Sequence, residues 1–269
     1  MSEPREQAQP VASGPRLAIR SRDLLLIWGA LAAVVVLAWA YLIGLASKMD
    51  DMPMVDPSLA AGLHRWTAQY FLLMFAMWAV MMVGMMVPTA MRAVMIYAGI
   101  ADRASSQGKV VAPTYWFVCG YVIVWTAFGL FATLVQAGLD WLGLLSPMMV
   151  SISAGLGAGL LIAGGLYQLT PWKDTCLKHC QSPAMYIARH FGPGPAAALG
   201  LGMRHGAYCL GCCWVLMGLL FLGGVMNLVW IGALTCFVLL EKLLPPALRV
   251  ARVGGALMIA GGIGYLSMA

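Results

Sequence analysis

The chain has 269 residues, of which 62% are hydrophobic and only 10% are charged. Soluble domains are about 45–50% apolar and about 25% charged, so the composition excludes an ordinary soluble domain and predicts an integral membrane protein. The net charge of +6 does not indicate nucleic-acid binding, because most basic residues fall in loops, where they set membrane orientation. The expected partner is therefore the lipid bilayer and not nucleic acid.

The predicted elements begin with a polar segment that contains several prolines. Residues 1–22 are expected to form a disordered cytoplasmic tail, and residues 23–269 a single transmembrane helical domain. The predicted fold class is an all-α, polytopic transmembrane helical bundle with about seven spans and a cytoplasmic N-terminus. The spans are placed near residues 24–46, 69–90, 114–138, 147–169, 198–223, 226–244 and 251–268.

The orientation follows from the distribution of lysine and arginine. With the N-terminus in the cytoplasm, Lys48 and Arg65 are the only two of the 16 basic residues that fall outside. Basic residues are strongly enriched on the cytoplasmic side of membrane proteins. We therefore predict a multi-pass protein of the cell inner membrane with its C-terminus outside.

Methionine is concentrated in the second apolar segment. Met74, Met77, Met81 and Met85 form one stripe at helical spacing. Thioether sulfur binds Cu(I), but methionine is also a flexible apolar packing residue, so both interpretations stay open. Met81 and Met85 are the candidate metal ligands from this segment. Pro88 is expected to break or kink the helix and to free a backbone carbonyl.

A pair of cysteines follows the fourth segment. Thr170 and Pro171 are typical of a helix start, with threonine as the cap and proline at the first position. In that helix Cys176, His179 and Cys180 share one side. A short helix on the inner membrane surface would bring both thiols against the base of the fifth segment.

A second group of cysteines lies inside the fifth segment. Cys209, Cys212 and Cys213 are three or four residues apart, so their sulfurs share one side of a helix, and His205 joins that side. Glycines at small-xxx-small spacing indicate that another helix approaches closely, so the cysteines are expected to face the bundle interior. Sulfur and imidazole ligands suit Cu(I), Zn(II) or thiol redox chemistry, whereas a single membrane cysteine would be a packing residue.

Two charged residues, Glu241 and Lys242, end the sixth segment. They are expected to reach the membrane interface or to pair with charges in the loops. A ligand or proton-relay role for Glu241 is the alternative. Cys119 and Cys236 are single cysteines and are interpreted as structural.

Several of these stretches together resemble a known family. They are Gly164 to Cys180, Gly206 to Trp214, Gly224 to Trp230, Glu241-Lys242 and Met81 to Pro88. These stretches are similar to bacterial predicted metal-binding integral membrane proteins, domain-of-unknown-function family 2182. The resemblance covers roughly residues 70–265 and implies a membrane protein that binds metal, without a settled reaction.

The leading hypothesis is a membrane protein that binds copper, or alternatively zinc, for metal transport, delivery or sensing. A membrane protein or a metallochaperone would be its protein partner. The candidate metal ligands are Cys176, Cys180, Cys209, Cys212, Cys213, His179, His205, Met81 and Met85.

Two other functions fit the same residues. A membrane thiol–disulfide oxidoreductase would pass electrons between the paired thiols. A non-catalytic assembly subunit of a membrane complex would use the thiols only for packing. The sequence has no P-loop, no Rossmann glycine fingerprint, no nucleophile elbow and no His-Glu-x-x-His motif. It therefore favours a protein that is not an enzyme, and no catalytic residue is assigned.

Overall fold

The computed structural model describes residues 21–50, 66–146, 153–244 and 250–268. Residues 1–20 of the expected tail lie outside the described residues, whereas Ser21 and Arg22 already belong to the first helix. The described helices are α1 Ser21–Asp50, α2 Ala68–Ser106, α3 Thr114–Trp141, α4 Ala154–Gln168, α5 Pro171–Gln181, α6 Ala184–His190, α7 Gly194–Gly218, α8 Leu220–Gly223, α9 Leu228–Leu243 and α10 Val250–Met268.

Side-chain caps mark the beginnings of four of these helices. Thr67, Ser153, Thr170 and Asn227 each accept a hydrogen bond from the backbone N–H three residues on, at 3.1 to 3.3 Å. Such caps satisfy donors that have no partner within the helix. Pro171 stands at the first position of α5, so this helix begins where the sequence predicts.

Among the described residues, five helices are long and apolar enough to cross a membrane, judged by length and composition. They are α1, α2, α3, α10 and the continuous stretch of α7 and α8. The fourth and sixth predicted segments also form helices, α4 and α9, but these have only 15 and 16 residues. At about 1.5 Å per residue, each is shorter than the roughly 30 Å hydrocarbon core. The expected count of seven spans therefore remains a prediction.

Helix α2 continues without interruption through Pro88, so the helix is not broken there. Hydroxyl groups supply hydrogen bonds in this region: Thr89 Oγ1 and Tyr121 OH donate to the carbonyl of Met86 at 2.8 and 2.9 Å. Neighbouring helices and threonine side chains commonly satisfy backbone groups near a proline in a membrane helix. Here the same hydroxyl groups also reach the candidate site.

The contact between α3 and α7 depends on glycine. A Cβ atom on Gly202 would lie 2.0 Å from the carbonyl oxygen of Phe117, and one on Gly120 would lie 2.2 Å from that of Leu199. Lipid gives helices no hydrophobic reason to associate, so close backbone approach through small residues stabilises such pairs. The contact holds one side of α7 in the bundle interior.

The remaining contacts place the short helix α5 against the second half of α7, at Gly211, and not against its base as expected from the sequence. Helix α5 packs against α7 and α9, while α2 contacts α3 and α9. The polar α5 therefore brings its side chains to the buried side of α7. The candidate site lies where α2, α3, α7 and α9 surround that side.

Candidate metal centre

The three cysteines of α7 face the bundle interior, as their spacing predicts. Cys209, Cys212 and Cys213 are at most 1% exposed. The thiols of Cys212 and Cys213 both donate to the carbonyl oxygen of Cys209, at 3.1 and 3.0 Å. All three are free thiols, so sulfur is available for ligation.

The cysteines of α5 meet this group from the other side. Cys180 is buried, and its thiol lies beside those of Cys209 and Cys212. Cys176 lies against the backbone of α7: its Sγ is 2.9 Å from the position that a Cβ on Gly211 would occupy. Sulfurs that are about 30 residues apart in the chain are thus brought together by the packing of α5 on α7.

The environment of the α5 thiols favours their protonated form. Burial raises the pKa of Cys176 above its ordinary value. For Cys180, the hydrogen bonds with Cys209 and Cys212, with burial in addition, raise the pKa well above the ordinary value. Because a metal binds the thiolate, a metal ion that uses these two residues must displace their protons.

A lysine also lies at the sulfur group. Lys242 is 3% exposed, and its Nζ donates to Cys209 Sγ at 2.9 Å and to Thr89 Oγ1 at 3.3 Å. Tyr121 OH is 3.0 Å from Cys209 Sγ. The expectation that Lys242 reaches the interface or pairs with loop charges is wrong, because its side of α9 faces the bundle interior.

Glu241 does pair with a charge from a loop, since Lys173 lies in the connection between the fourth and fifth predicted segments. Glu241 Oε2 is 2.7 Å from Lys173 Nζ, and its Oε1 accepts from Gln168 Nε2 at 2.7 Å. Its backbone carbonyl accepts from Gln181 Nε2 at 2.8 Å. Both ends of α5 are therefore attached to Glu241. With both carboxylate oxygens engaged, this residue positions α5.

The two candidate histidines differ in their surroundings. His205 is 3% exposed and packs between the rings of Phe117 and Tyr121, each with a centroid 5.9 Å away. The ring of His179 stacks on Tyr208 at 4.2 Å, and its Nδ1 is 2.9 Å from the carbonyl oxygen of its own helix at Thr175. His205 therefore lies in the interior one turn before Cys209, whereas His179 packs on the aromatic side chain that precedes Cys209 in the chain.

Met81 and Met85 lie in the interior, and both are fully buried. They precede Thr89 by eight and four residues, so the three side chains share one side of α2. The hydroxyl of Thr89 is 3.8 Å from Cys209 Sγ. The thioethers therefore form a column on the side of α2 that carries Thr89.

Across the four described ranges, no three His, Cys, Asp or Glu side chains are already arranged to hold a metal ion. The reason lies in the hydrogen bonds of the thiols: Cys212 and Cys213 turn towards a backbone carbonyl, and Cys209 contacts the ammonium of Lys242. Rotation about χ1 moves a thiol between staggered positions. Ligation therefore requires the thiols of Cys212 and Cys213 to turn from the backbone carbonyl to the metal, whereas the sulfur of Cys209 can bind a metal and still accept from Lys242.

The sequence interpretation missed Thr89 and Tyr121, and it did not place Lys242 at the sulfurs. The sequence does contain a signal that Lys242 has a function: an ionisable residue within a membrane segment is by default a candidate functional residue. Thr89 continues the methionine stripe by one turn, so helical spacing alone places it there. For Tyr121 the sequence offers no comparable signal.

A copper chaperone family model, PpoB2, matches residues 75–265. Because the match covers most of the chain, the chain belongs to the PpoB2 copper chaperone family. No curated protein and no solved structure matches the chain.

Proposed function

We propose that this member of the PpoB2 copper chaperone family is a membrane protein that binds copper as its cargo and delivers it to a partner protein. The observation that carries the proposal is the meeting of the α5 and α7 cysteines in the bundle interior, where Cys180 contacts Cys209 and Cys212. Thiolate ligands select soft metals, Cu(I) and Zn(II) among them, and thioether ligands suit Cu(I). The family match supports copper over the alternative, zinc.

The proposed ligands are the cysteines of the two helices. Cys209 is central, because it contacts Cys180 and lies on the same side of α7 as Cys212 and Cys213. Cys176 adds a half-buried sulfur at the edge of the group. His205 follows as a further candidate, since it precedes Cys209 by one turn.

The other candidate ligands have a proposed role in moving the metal. His179 lies on the α5 side, and Met81 and Met85 lie on the α2 side of the thiols. Metal could pass between them and the thiolates by ligand exchange. The protein partner, a membrane protein or a metallochaperone, would take up or supply copper at one end of this path.

The proposed location is the inner membrane, with seven spans and the N-terminus in the cytoplasm. Five long apolar helices support a membrane protein, and the basic residues support the orientation. In this orientation the connection that contains α5 enters the bundle from the cytoplasmic side. Thiols on that side stay reduced, which suits metal ligation and agrees with the free cysteines of the described residues.

Elemental analysis of protein purified in mild detergent without chelator tests the proposal. The wild type is expected to retain copper, and a variant with Cys209→Ser, Cys212→Ser and Cys213→Ser is expected to lose it. The matched control is Cys119→Ser with Cys236→Ser, because these two cysteines are exposed on α3 and α9. A wild type that remains metal-free after reconstitution with Cu(I) contradicts the proposal.

One observation also fits thiol–disulfide exchange: a cationic group next to a cysteine, as Lys242 is next to Cys209, favours the reactive thiolate. This alternative predicts a mixed disulfide between a partner and Cys212 or Cys213. Trapping such a disulfide in a wild type that binds neither copper nor zinc would support the oxidoreductase function over metal delivery.

A further inference from the structure

The ammonium of Lys242 is built into the sulfur site. An ammonium has three N–H donors, and the structure gives it three acceptors: Cys209 Sγ at 2.9 Å, Thr89 Oγ1 at 3.3 Å and Cys213 Sγ at 3.9 Å. The side chain is only 3% exposed. Its position is therefore fixed by groups of the site.

The charge of Lys242 has no carboxylate next to it. Within the described part of the chain, the ion pairs are Lys173–Glu241 and Arg252–Asp174. The neighbouring Glu241 is thus already engaged by Lys173. A buried charge needs compensation, and the groups around Lys242 that can carry negative charge are the thiols of Cys209, Cys212 and Cys213 and the phenol of Tyr121.

A metal ion on Cys209 must lie close to this ammonium. A metal–sulfur bond is about 2.3 Å long, and Lys242 Nζ is 2.9 Å from Cys209 Sγ. The metal and Nζ are then within about 5 Å of each other, since the distance cannot exceed these two lengths combined. At that separation in a poorly solvated interior, two positive charges repel strongly.

This repulsion depends on the charge of the metal. A divalent ion is repelled by the ammonium twice as strongly as a monovalent ion at the same place. The ammonium also favours the thiolate form of the cysteines, but this effect does not depend on which metal binds. The fixed charge therefore disfavours Zn(II) and Cu(II) relative to Cu(I).

We propose that Lys242 is a specificity-determining residue that makes the sulfur site select monovalent copper over divalent metals. The proposal rests on the proposed function, because it assumes that the metal binds at Cys209. It assigns metal selectivity to a residue that is not itself a ligand. The thiols bind soft metals, and the charge of Lys242 disfavours the divalent ions among them.

The test measures the affinities of the purified protein for Cu(I) and for Zn(II), in competition with a chelator for each metal. Lys242→Leu removes the charge and introduces no metal ligand, and Lys242→Gln is a second neutral variant. Lys242→Arg is the control that keeps the charge. Both neutral variants are expected to lower the preference for Cu(I) over Zn(II) by about tenfold or more, and the arginine variant to keep it. Melting curves identify any variant that does not fold.

The outcomes separate the two proposals. A wild type that binds neither metal contradicts the proposed function, and the selectivity proposal fails with it. A wild type that binds Cu(I), with folded neutral variants that keep the wild-type preference, overturns the role of Lys242 alone. Equal losses of both metals in the neutral variants also overturn it, because the residue would then have only a structural role.

Discussion

The buried ion pair between Lys173 and Glu241 is the charged contact that joins α5 to α9. Both side chains are at most 1% exposed, and their charged atoms are 2.7 Å apart. Removing one partner of a buried pair leaves a charge without compensation, which costs more than the pair contributes in total. The position of Cys176 and Cys180 therefore depends on a pair that is not part of the sulfur site.

The first prediction concerns this pair. Glu241→Gln leaves the ammonium of Lys173 buried without a counter-charge, so we expect a loss of about 3–5 kcal/mol in the free energy of unfolding. Thermal melting in detergent measures the change. Asp174→Asn is the matched control: Asp174 pairs with Arg252 at 3.7 Å on the surface, and such exposed pairs contribute about 0–1 kcal/mol. Equal melting temperatures of Glu241→Gln and the wild type contradict the prediction.

Among the helices, the contact between α3 and α7 decides which side of α7 is buried. Gly202 faces Phe117 on α3, and Gly120 faces Leu199 on α7, so the two backbones touch at both points. The cysteines lie on the α7 side that this contact turns inward. The sulfur site depends in this way on two residues that have no side chain.

The second prediction tests that contact. In Gly202→Ala, the new Cβ would lie 2.0 Å from the carbonyl oxygen of Phe117, and the two helices must separate. Overpacking of this kind costs about 1–3 kcal/mol or more, and we expect reduced copper retention as α7 shifts. Melting and elemental analysis provide the two measurements.

The control for this prediction is Gly200→Ala on the same helix. Nothing lies within 4 Å of a Cβ at Gly200, and alanine is favoured over glycine in a helix by up to about 1 kcal/mol. This variant should therefore melt at the wild-type temperature or above it and keep its copper. The prediction is wrong if the two alanine variants behave alike.

For the whole molecule, the proposed bundle of seven spans includes two short helices, α4 and α9. Helix α4 is too short to span alone at full thickness, yet it packs closely on α10: a Cβ on Gly165 would lie 2.6 Å from the carbonyl oxygen of Gly255. Helix α9 is also short, and Lys242 in its last turn lies inside the site. Short helices packed on longer ones are consistent with the proposed bundle of seven spans.

The third prediction addresses orientation. Reporters fused after Gly108 and after Gly192 are expected on the cytoplasmic side, where green fluorescent protein fluoresces and alkaline phosphatase is inactive. Fusions after Gly143 should give active alkaline phosphatase and no fluorescence from green fluorescent protein. The distribution of basic residues predicts that the connection between α3 and α4 lies outside. The reverse pattern at all three positions would contradict the orientation and place α5 on the outer side.

Several features of this protein could be predicted from the sequence because they depend on local spacing. Cys209, Cys212 and Cys213 share a side of α7 because of the helical repeat, and Thr170 and Pro171 mark the beginning of α5. All seven predicted apolar segments contain helices. The buried side of α7 also follows from its glycines, since close approach requires small residues.

The surroundings of the sulfurs could not be predicted in this way. Lys242 contacts Thr89 across 153 residues of chain, and Tyr121 reaches Cys209 across 88. No local sequence pattern predicts such pairs, because they form only when separate helices pack side by side. For the same reason, the sequence placed Lys242 at the interface, where an isolated helix would put it.

The sequence by itself determined three features. They are a composition that suits a membrane protein, the positions of the helical segments, and the grouping of soft ligands along single helices. These properties follow from the chemistry and spacing of neighbouring residues. Only the tertiary structure decided that the α5 and α7 thiols meet and that a buried ammonium lies among them. The reason is that contacts between distant residues form only when whole helices pack against one another. This packing depends on the shapes of all the helices involved.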